Sequence, residues 1–206
     1  LFNAFLTTNA AGGHASTPAL TDATSKLVSG LDDLQKTPAP SRLSAPVEMM
    51  LKELAAHGSF GIRLVMGNLW LFRPLVLSIL RKNPETAAMV RTTYALTELE
   101  GSPTANVIPK QAHACVNVRV DPAESVEEAK ARILSHFDAD TECRLRDANE
   151  PSPISPFDDE VFEYLRAVTN SVYPDAGIAP YVQVSCSDSR HFARIYPRVY
   201  RFAGIL

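Results

Sequence analysis

Between Gln111 and Val120 every second residue is apolar. Ala112, Ala114, Val116, Val118 and Val120 fall on one side, and Gln111, His113, Cys115, Asn117 and Arg119 on the other. A period of two is the signature of a strand that is half buried, because successive side chains leave a strand on opposite faces. Such a strand needs neighbours and an apolar layer on one face only. Residues 1–10 read as a second strand, residues 91–100 as a third and residues 141–147 as a fourth. Between them the period changes. Leu20, Ala23, Leu27, Leu31 and Leu34 recur at three- and four-residue spacing and predict an amphipathic helix ending near Lys36. Thr17 is its expected N-cap, with Pro18 at the first helical position. Ser125 and Glu128 form a capping box ahead of Val126, Ala129, Ile133 and Leu134. This order predicts an α+β fold, an antiparallel sheet with helices on one face.

Two stretches fall outside that pattern. Residues 42–90 form a helical insertion, with a short helix around Val47, Met50, Leu51 and Leu54 and then an apolar run from Ile62 to Leu80. Arg63 opens the run and Arg73-Pro74 interrupts it, so it reads as a buried or interfacial helix pair broken at Pro74, not as a membrane span. Its apolar surface must be covered by the rest of this domain, by a partner subunit, by another domain or by a ligand. After Asn149, Pro151, Pro153 and Pro156 mark a boundary. Beyond it lie a helix capped by Asp158, a strand candidate at Tyr181–Val184, a polar turn at residues 185–192 and a strand candidate at Arg198–Phe202. The tail is too short for a domain of its own. The expected domains are therefore 1–149, with 42–90 inserted, and 150–206 as part of another. The chain begins in apparent strand without Met, as expected of a piece of a longer protein.

The net charge of −3, with no Lys/Arg block, argues against nucleic acid as a partner. Cys115, Cys143 and Cys186 lack metal-binding spacing. No HExxH, GxSxG, P-loop or GxGxxG occurs. His14, His57, His113, His136 and His191 are scattered, none with a ligand-like helical offset to a carboxylate or second His. From the residues alone, the chain is a soluble α+β domain with a polar-lined strand.

Four short motifs in order carry a resemblance further. Gly12-Gly13-His14-Ala15-Ser16-Thr17-Pro18 resembles the first lid motif of the M20 zinc metallopeptidases; here the two glycines permit a tight or positive-φ turn. Asn106-Val107-Ile108-Pro109, with the strand ending in Arg119 and then Asp121-Pro122, resembles the second. Ser187-Asp188-Ser189-Arg190-His191-Phe192 followed by Val199-Tyr200-Arg201-Phe202 resembles the returning catalytic domain. Asn68–Pro74 and Arg91-Thr92-Thr93 resemble the carboxypeptidase S and PM20D1 branch.

The resemblance implies a ferredoxin-like lid (dimerisation) domain plus a fragment of an α/β catalytic domain. It implies a parent enzyme with two zinc ions, hydrolysing an amide next to a free carboxylate in a peptide or N-acyl amino acid, and a homodimer formed through the lid. His14 would donate to the oxyanion in the partner's site. Asn106 would contact substrate or oxyanion, and Arg119 and Ser187 the substrate carboxylate. Asp188 and Arg190 stand between substrate contact and a structural pair or cap. Ser185 and Cys186 stand where the family usually has glycine or Gly-Asn before Ser187, and Cys186 is either a reactive or a plain buried thiol. The family's metal-ligand segments, His-x-Asp, a bridging Asp and Glu-Glu upstream of the lid and a His near the C-terminus, are absent, so no residue here is assigned to metal, no zinc is expected on this fragment, and alone it is expected to be inactive. A non-catalytic dimerisation module is the rival reading.

Overall fold

A computed structural model describes residues 1–185 and 187–204. They form two compact units, Leu1–Pro40 with Thr92–Pro151, and Ser41–Arg91 with the segment from Ser152 onward.

The first unit is built on strands β1 (Phe2–Asn9), β3 (Thr93–Glu100), β5 (Gln111–Arg119) and β6 (Thr141–Arg146), following a short β2 (Gly13–His14) and β4 (Val107–Ile108) that pair separately. The main sheet is antiparallel throughout, in the order β3-β5-β1-β6. The two central strands pair without a break from Phe2↔Val118 to Asn9↔Gln111. That register puts Phe2, Ala4 and Leu6 on the same face as Ala112, Ala114, Val116 and Val118, all buried. Helices α1 (Ala23–Lys36) and α6 (Val126–Leu134) close over this face with Leu27, Leu31, Leu34, Ala129 and Ile133. Each large side chain so buried contributes about 1.5–3 kcal/mol. With one helix after β1 and one before β6, this is the α+β, ferredoxin-like arrangement expected.

The capping box at Ser125 and Glu128 is complete. The start of α1 is not where Thr17-Pro18 placed it. The N-cap is Asp22, whose carboxylate accepts from the Ser25 amide at 3.0 Å and is held below the usual carboxylate range by it. Thr17 instead donates its amide to the His14 carbonyl at 3.1 Å, closing a turn, and Leu20 is fully exposed ahead of the helix. An ionised cap at the positive helix end outcompetes a Thr-Pro pair five residues earlier.

A buried polar group ties β3 to the β5–α6 connection. Thr92 donates to Glu124 and accepts the Asp121 amide at 2.9 Å. Arg132 pairs with Glu124 and donates to the Tyr94 hydroxyl at 2.7 Å.

The second unit contains α2 (Ala45–Ala56), α3 (Phe60–Gly67), α4 (Leu69–Leu80), α5 (Pro84–Ala88), α7 (Glu160–Val172) and α8 (Ser189–Phe192). Leu43, Val47, Leu51, Leu69, Val76, Met89 and Val90 make its core, with Val182 packed against it. Arg166 of α7 lies 3.5 Å from Glu53 of α2. The break in the apolar run is at Asn68, not Pro74. Asn68 receives no further helical turn from α3. Its side chain donates to the Leu64 carbonyl at 2.8 Å, and its own carbonyl accepts from Leu71 and Phe72, starting α4. Pro74 lies inside α4, where it lacks the N–H that would donate to the Trp70 carbonyl, yet the helix runs on to Leu80. The bend between the two helices is 111°, and no single helix among the described residues is long and apolar enough to cross a membrane.

In the C-terminal segment the α7 cap is Asp159, not Asp158; it accepts from the Phe162 amide at 3.0 Å and pairs with Arg198 at 2.6 Å. Neither Tyr181–Val184 nor Arg198–Phe202 is a strand. A strand exists through its ladder, and among the described residues none pairs with either. Residues 198–200 are instead held by side chains: Ser155 donates to the Val199 carbonyl at 2.9 Å, and Tyr200 to the Pro156 carbonyl at 2.6 Å.

Gly30 lies in the middle of α1, where propensity alone favours alanine by about 1 kcal/mol. A Cβ there would stand 2.3 Å from the Phe137 ring and 2.9 Å from the His136 carbonyl. Gly30→Ala is therefore expected to destabilise, by about 1–3 kcal/mol as for other overpacked cores. A lowered urea midpoint at unchanged slope is the expected result, against the gain that helix propensity alone demands.

Candidate functional site

The β1–β5 pair determines where His14 goes. Its ladder runs on past Asn9 through the Ala10 amide, which donates to the Lys110 carbonyl at 3.0 Å. Beyond this point the two chains pair again as β2 and β4, Gly13 opposite Ile108 and His14 opposite Val107. The Ala15 amide then donates to the Asn106 carbonyl at 3.0 Å. Two residues 92 positions apart in sequence are thus brought to the same end of one small ladder. Both are exposed.

The glycines of this motif act differently from expectation. No glycine described here has positive φ. Gly12 is required instead by close approach: a Cβ on it would lie 2.7 Å from Lys110 Cγ and 3.0 Å from the Ile108 carbonyl oxygen. Gly13 has open space around the Cβ position.

His14 has a partner that motif reasoning did not single out. Its Nδ1 lies 2.8 Å from the Ser16 hydroxyl and 3.2 Å from the Ser16 amide nitrogen. The only sequence signal was a hydroxyl residue two positions after the histidine.

Arg119 lies at the other end of β5, opposite Thr93 and exposed on the face away from the core. At about 3.4 Å per residue, the strand carries it roughly 27 Å from Gln111, where β5 leaves the His14 ladder. Within one copy of the chain the structure joins His14 to Asn106 but not to Arg119. The same open face carries His113, whose Nδ1 is 3.1 Å from the Thr7 hydroxyl, and Asn117, which donates to Asn3 at 2.7 Å. Cys115 belongs to this row but is buried, facing the bulge in β3 between Leu96 and Glu98.

In the second unit, Ser187 is exposed and its hydroxyl is 2.6 Å from that of Ser189. Asp188 takes the N-cap position of the four-residue α8 without a side-chain cap bond. Arg190 is half-buried and directs its Nε to His191 Nε2 at 3.3 Å. Cys186 lies outside the described residues.

The remaining histidines have local structural neighbours. His136 pairs with Asp33 at 2.7 Å, joining the end of α6 to α1, and His57 ends α2. Among the described residues no three His, Cys, Asp or Glu side chains gather as a group able to hold a metal ion. An open groove of about 620 Å³ runs beside the ladder, bordered by Asn9, Ala10, Lys110 and Gln111; none of the predicted site residues lines it.

Residues 2–142 match a family described as the M20_dimer peptidase dimerisation domain. The chain is 36% identical over 209 residues to the N-fatty-acyl-amino acid synthase/hydrolase PM20D1 of Bos taurus, covering 98% of this chain and 41% of that protein. It is 29% identical to the probable carboxypeptidase S-like 2 of Dictyostelium discoideum, covering 95% of this chain and 38% of that one. The chain therefore spans about two-fifths of the length of these relatives. In fold it is similar to the M20 family metallo-carboxypeptidase Sso-CP2 of Sulfolobus solfataricus, with a TM-score of 0.53, 14% identity, and coverage of 87% of this chain and 44% of that one.

Because Gly12 lets the β2–β4 ladder close, Gly12→Val is expected to open it. Losing the Ala15–Asn106 bond costs about 1 kcal/mol, or roughly fivefold faster amide exchange at Ala15. Exchange measured by NMR that is unchanged at Ala15 would show that the close approach is not needed.

Proposed function

The chain belongs to the M20 peptidase family, and from that premise we propose that it is the lid domain, with the 42–90 insertion, and part of the catalytic domain of a zinc-dependent hydrolase. The reaction is hydrolysis of an amide bond next to a free carboxylate. The observation that carries this reading is the placing of His14 and Asn106 on one small ladder, with Arg119 at the far end of β5.

A small substrate cannot reach both ends of a strand some 27 Å long. If Arg119 grips the carboxylate while His14 meets the reacting carbonyl, the two must come from different subunits. That requirement supports a homodimer, and the match to a dimerisation family agrees with it. The guanidinium fork of Arg119 suits a carboxylate because it is planar and permanently charged. His14 is an exposed hydrogen-bond donor on a rigid ladder, suited to the negative oxygen of a tetrahedral intermediate. Asn106 stands beside it as a second polar contact. Ser187, Asp188 and Arg190 are proposed as substrate contacts from the catalytic part. No residue of this chain is proposed as a zinc ligand, since among the described residues no three His, Cys, Asp or Glu side chains gather as a group.

The fatty-acyl substrates in the names of the PM20D1 relatives favour N-acyl amino acids over peptides. Helices α3 and α4 leave Phe60, Ile62, Trp70, Leu71, Leu75 and Ile79 exposed, an apolar surface suited to walling an acyl chain. Each buried methylene contributes up to about 0.8 kcal/mol.

In the full-length enzyme His14→Ala is expected to lower kcat by about 10²–10³, the usual loss for one oxyanion donor. Arg119→Ala should chiefly raise KM, if its contact is equal in ground and transition states. A normal kcat in the His14 variant, or a strictly monomeric enzyme by light scattering, would exclude the trans donor. With N-acyl amino acids of rising length, kcat/KM should climb and Trp70→Ala should flatten the rise. No dependence on length would remove the acyl wall and leave α3 and α4 a structural role.

A further inference from the structure

The environment of His14 contains one contact whose polarity is unambiguous. The Ser16 backbone N–H lies 3.2 Å from Nδ1, and a backbone N–H can only donate. Nδ1 must therefore present its lone pair. The Ser16 hydroxyl lies 2.8 Å from the same atom, so opposite a lone pair it is the hydroxyl that must donate. A neutral imidazole with Nδ1 as acceptor carries its proton on Nε2. The turn that holds this arrangement is closed by the Thr17 amide on the His14 carbonyl at 3.1 Å, which folds residue 16 back toward Nδ1. The ladder on the other side, Ala15 to Asn106, fixes the backbone from which the ring projects.

We propose that Ser16 is a positioning residue that selects the Nε2–H tautomer of His14, so that the nitrogen turned away from the chain is the one that donates. The proposal rests on the reading of His14 as the oxyanion donor. An oxyanion needs a hydrogen at the nitrogen facing it, and the opposite tautomer would present a lone pair to a negative oxygen. Ser16 thus does for His14 what a carboxylate or carbonyl does for many functional histidines, with the sense reversed: it donates to Nδ1 instead of accepting from it. Ser16 itself touches neither substrate nor reacting atoms in this arrangement.

The test is ¹⁵N NMR of full-length protein with labelled histidine rings, at a pH where the ring is neutral, with the His14 signals identified by their loss in His14→Asn. Wild type is expected to show a protonated Nε2 and a lone-pair Nδ1. Ser16→Ala removes the hydroxyl and keeps the backbone donor. It should move the tautomer ratio about fivefold toward Nδ1–H, the equivalent of one neutral hydrogen bond. kcat should fall with KM nearly unchanged, and Ser16→Thr should restore both. A protonated Nδ1 in wild type, or a ratio unmoved in Ser16→Ala, overturns the proposal. If the ratio moves and kcat does not, the hold of Ser16 on the tautomer stands and the oxyanion reading of His14 fails. If His14→Ala loses activity while Ser16→Ala leaves the ratio unmoved, the oxyanion reading stands and the role of Ser16 fails.

Discussion

The uninterrupted pairing of Phe2–Asn9 with Gln111–Val118 is the constraint on which the first unit depends. A slip of one residue would turn every side chain of a strand to the opposite face. Here it would replace Ala112, Ala114, Val116 and Val118 in the core with His113, Cys115 and Asn117. Burial of the apolar row against α1 and α6 makes that slip expensive, so register is held by the core and not by the turn chemistry. Because register is held, the two strands leave the sheet side by side at Asn9 and Gln111. They can then pair once more, as β2 and β4, and carry His14 and Asn106 to one place. The position of the exposed site is thus a consequence of the buried face.

The small ladder works at close quarters. Gly12 passes against Lys110 and the Ile108 carbonyl, which leaves no volume for a side chain. Its neighbour Gly13 meets nothing, so the two glycines of one motif answer to different demands. Rigidity in this loop comes from backbone bonds on either side of His14, to Asn106 through Ala15 and back from Thr17. A ring held this way can be given a defined hydrogen-bond direction by one further residue. His113 on the open sheet also has its backbone held, between Thr7 and Glu100, but its Nδ1 meets a threonine hydroxyl of the neighbouring strand and not a residue of its own turn.

The second unit obeys a different rule. Its core uses only part of a very apolar composition, with Leu69 and Val76 buried while Trp70, Leu71, Leu75 and Ile79 remain exposed. Helical spacing places these two sets on different faces of α4. Asn68 makes the bend between α3 and α4 by satisfying the end of one helix with its side chain and the start of the next with its carbonyl. Its 111° angle presents two apolar helices instead of one long one.

Periodicity determined most of the first unit without any coordinates. The alternation in β5, the apolar spacing of α1 from Ala23 onward and the capping box of α6 each reflect a local rule, and each appears where the residues place it. The motif residues His14, Asn106 and Arg119 were also legible as residue types. What the chain alone left open was which of them meet, because that depends on pairings between residues about a hundred positions apart. Tertiary structure decided that His14 stands with Asn106 and apart from Arg119. It also moved helix starts and breaks to Asp22, Asn68 and Asp159. There, two adjacent polar residues or a proline offered rival local solutions, and the side chain that makes the hydrogen bond at the helix end marks the one taken. The segments at 181–184 and 198–202 look like strands because their residues favour extension, but a strand requires a partner, and partnership is not a property of a segment.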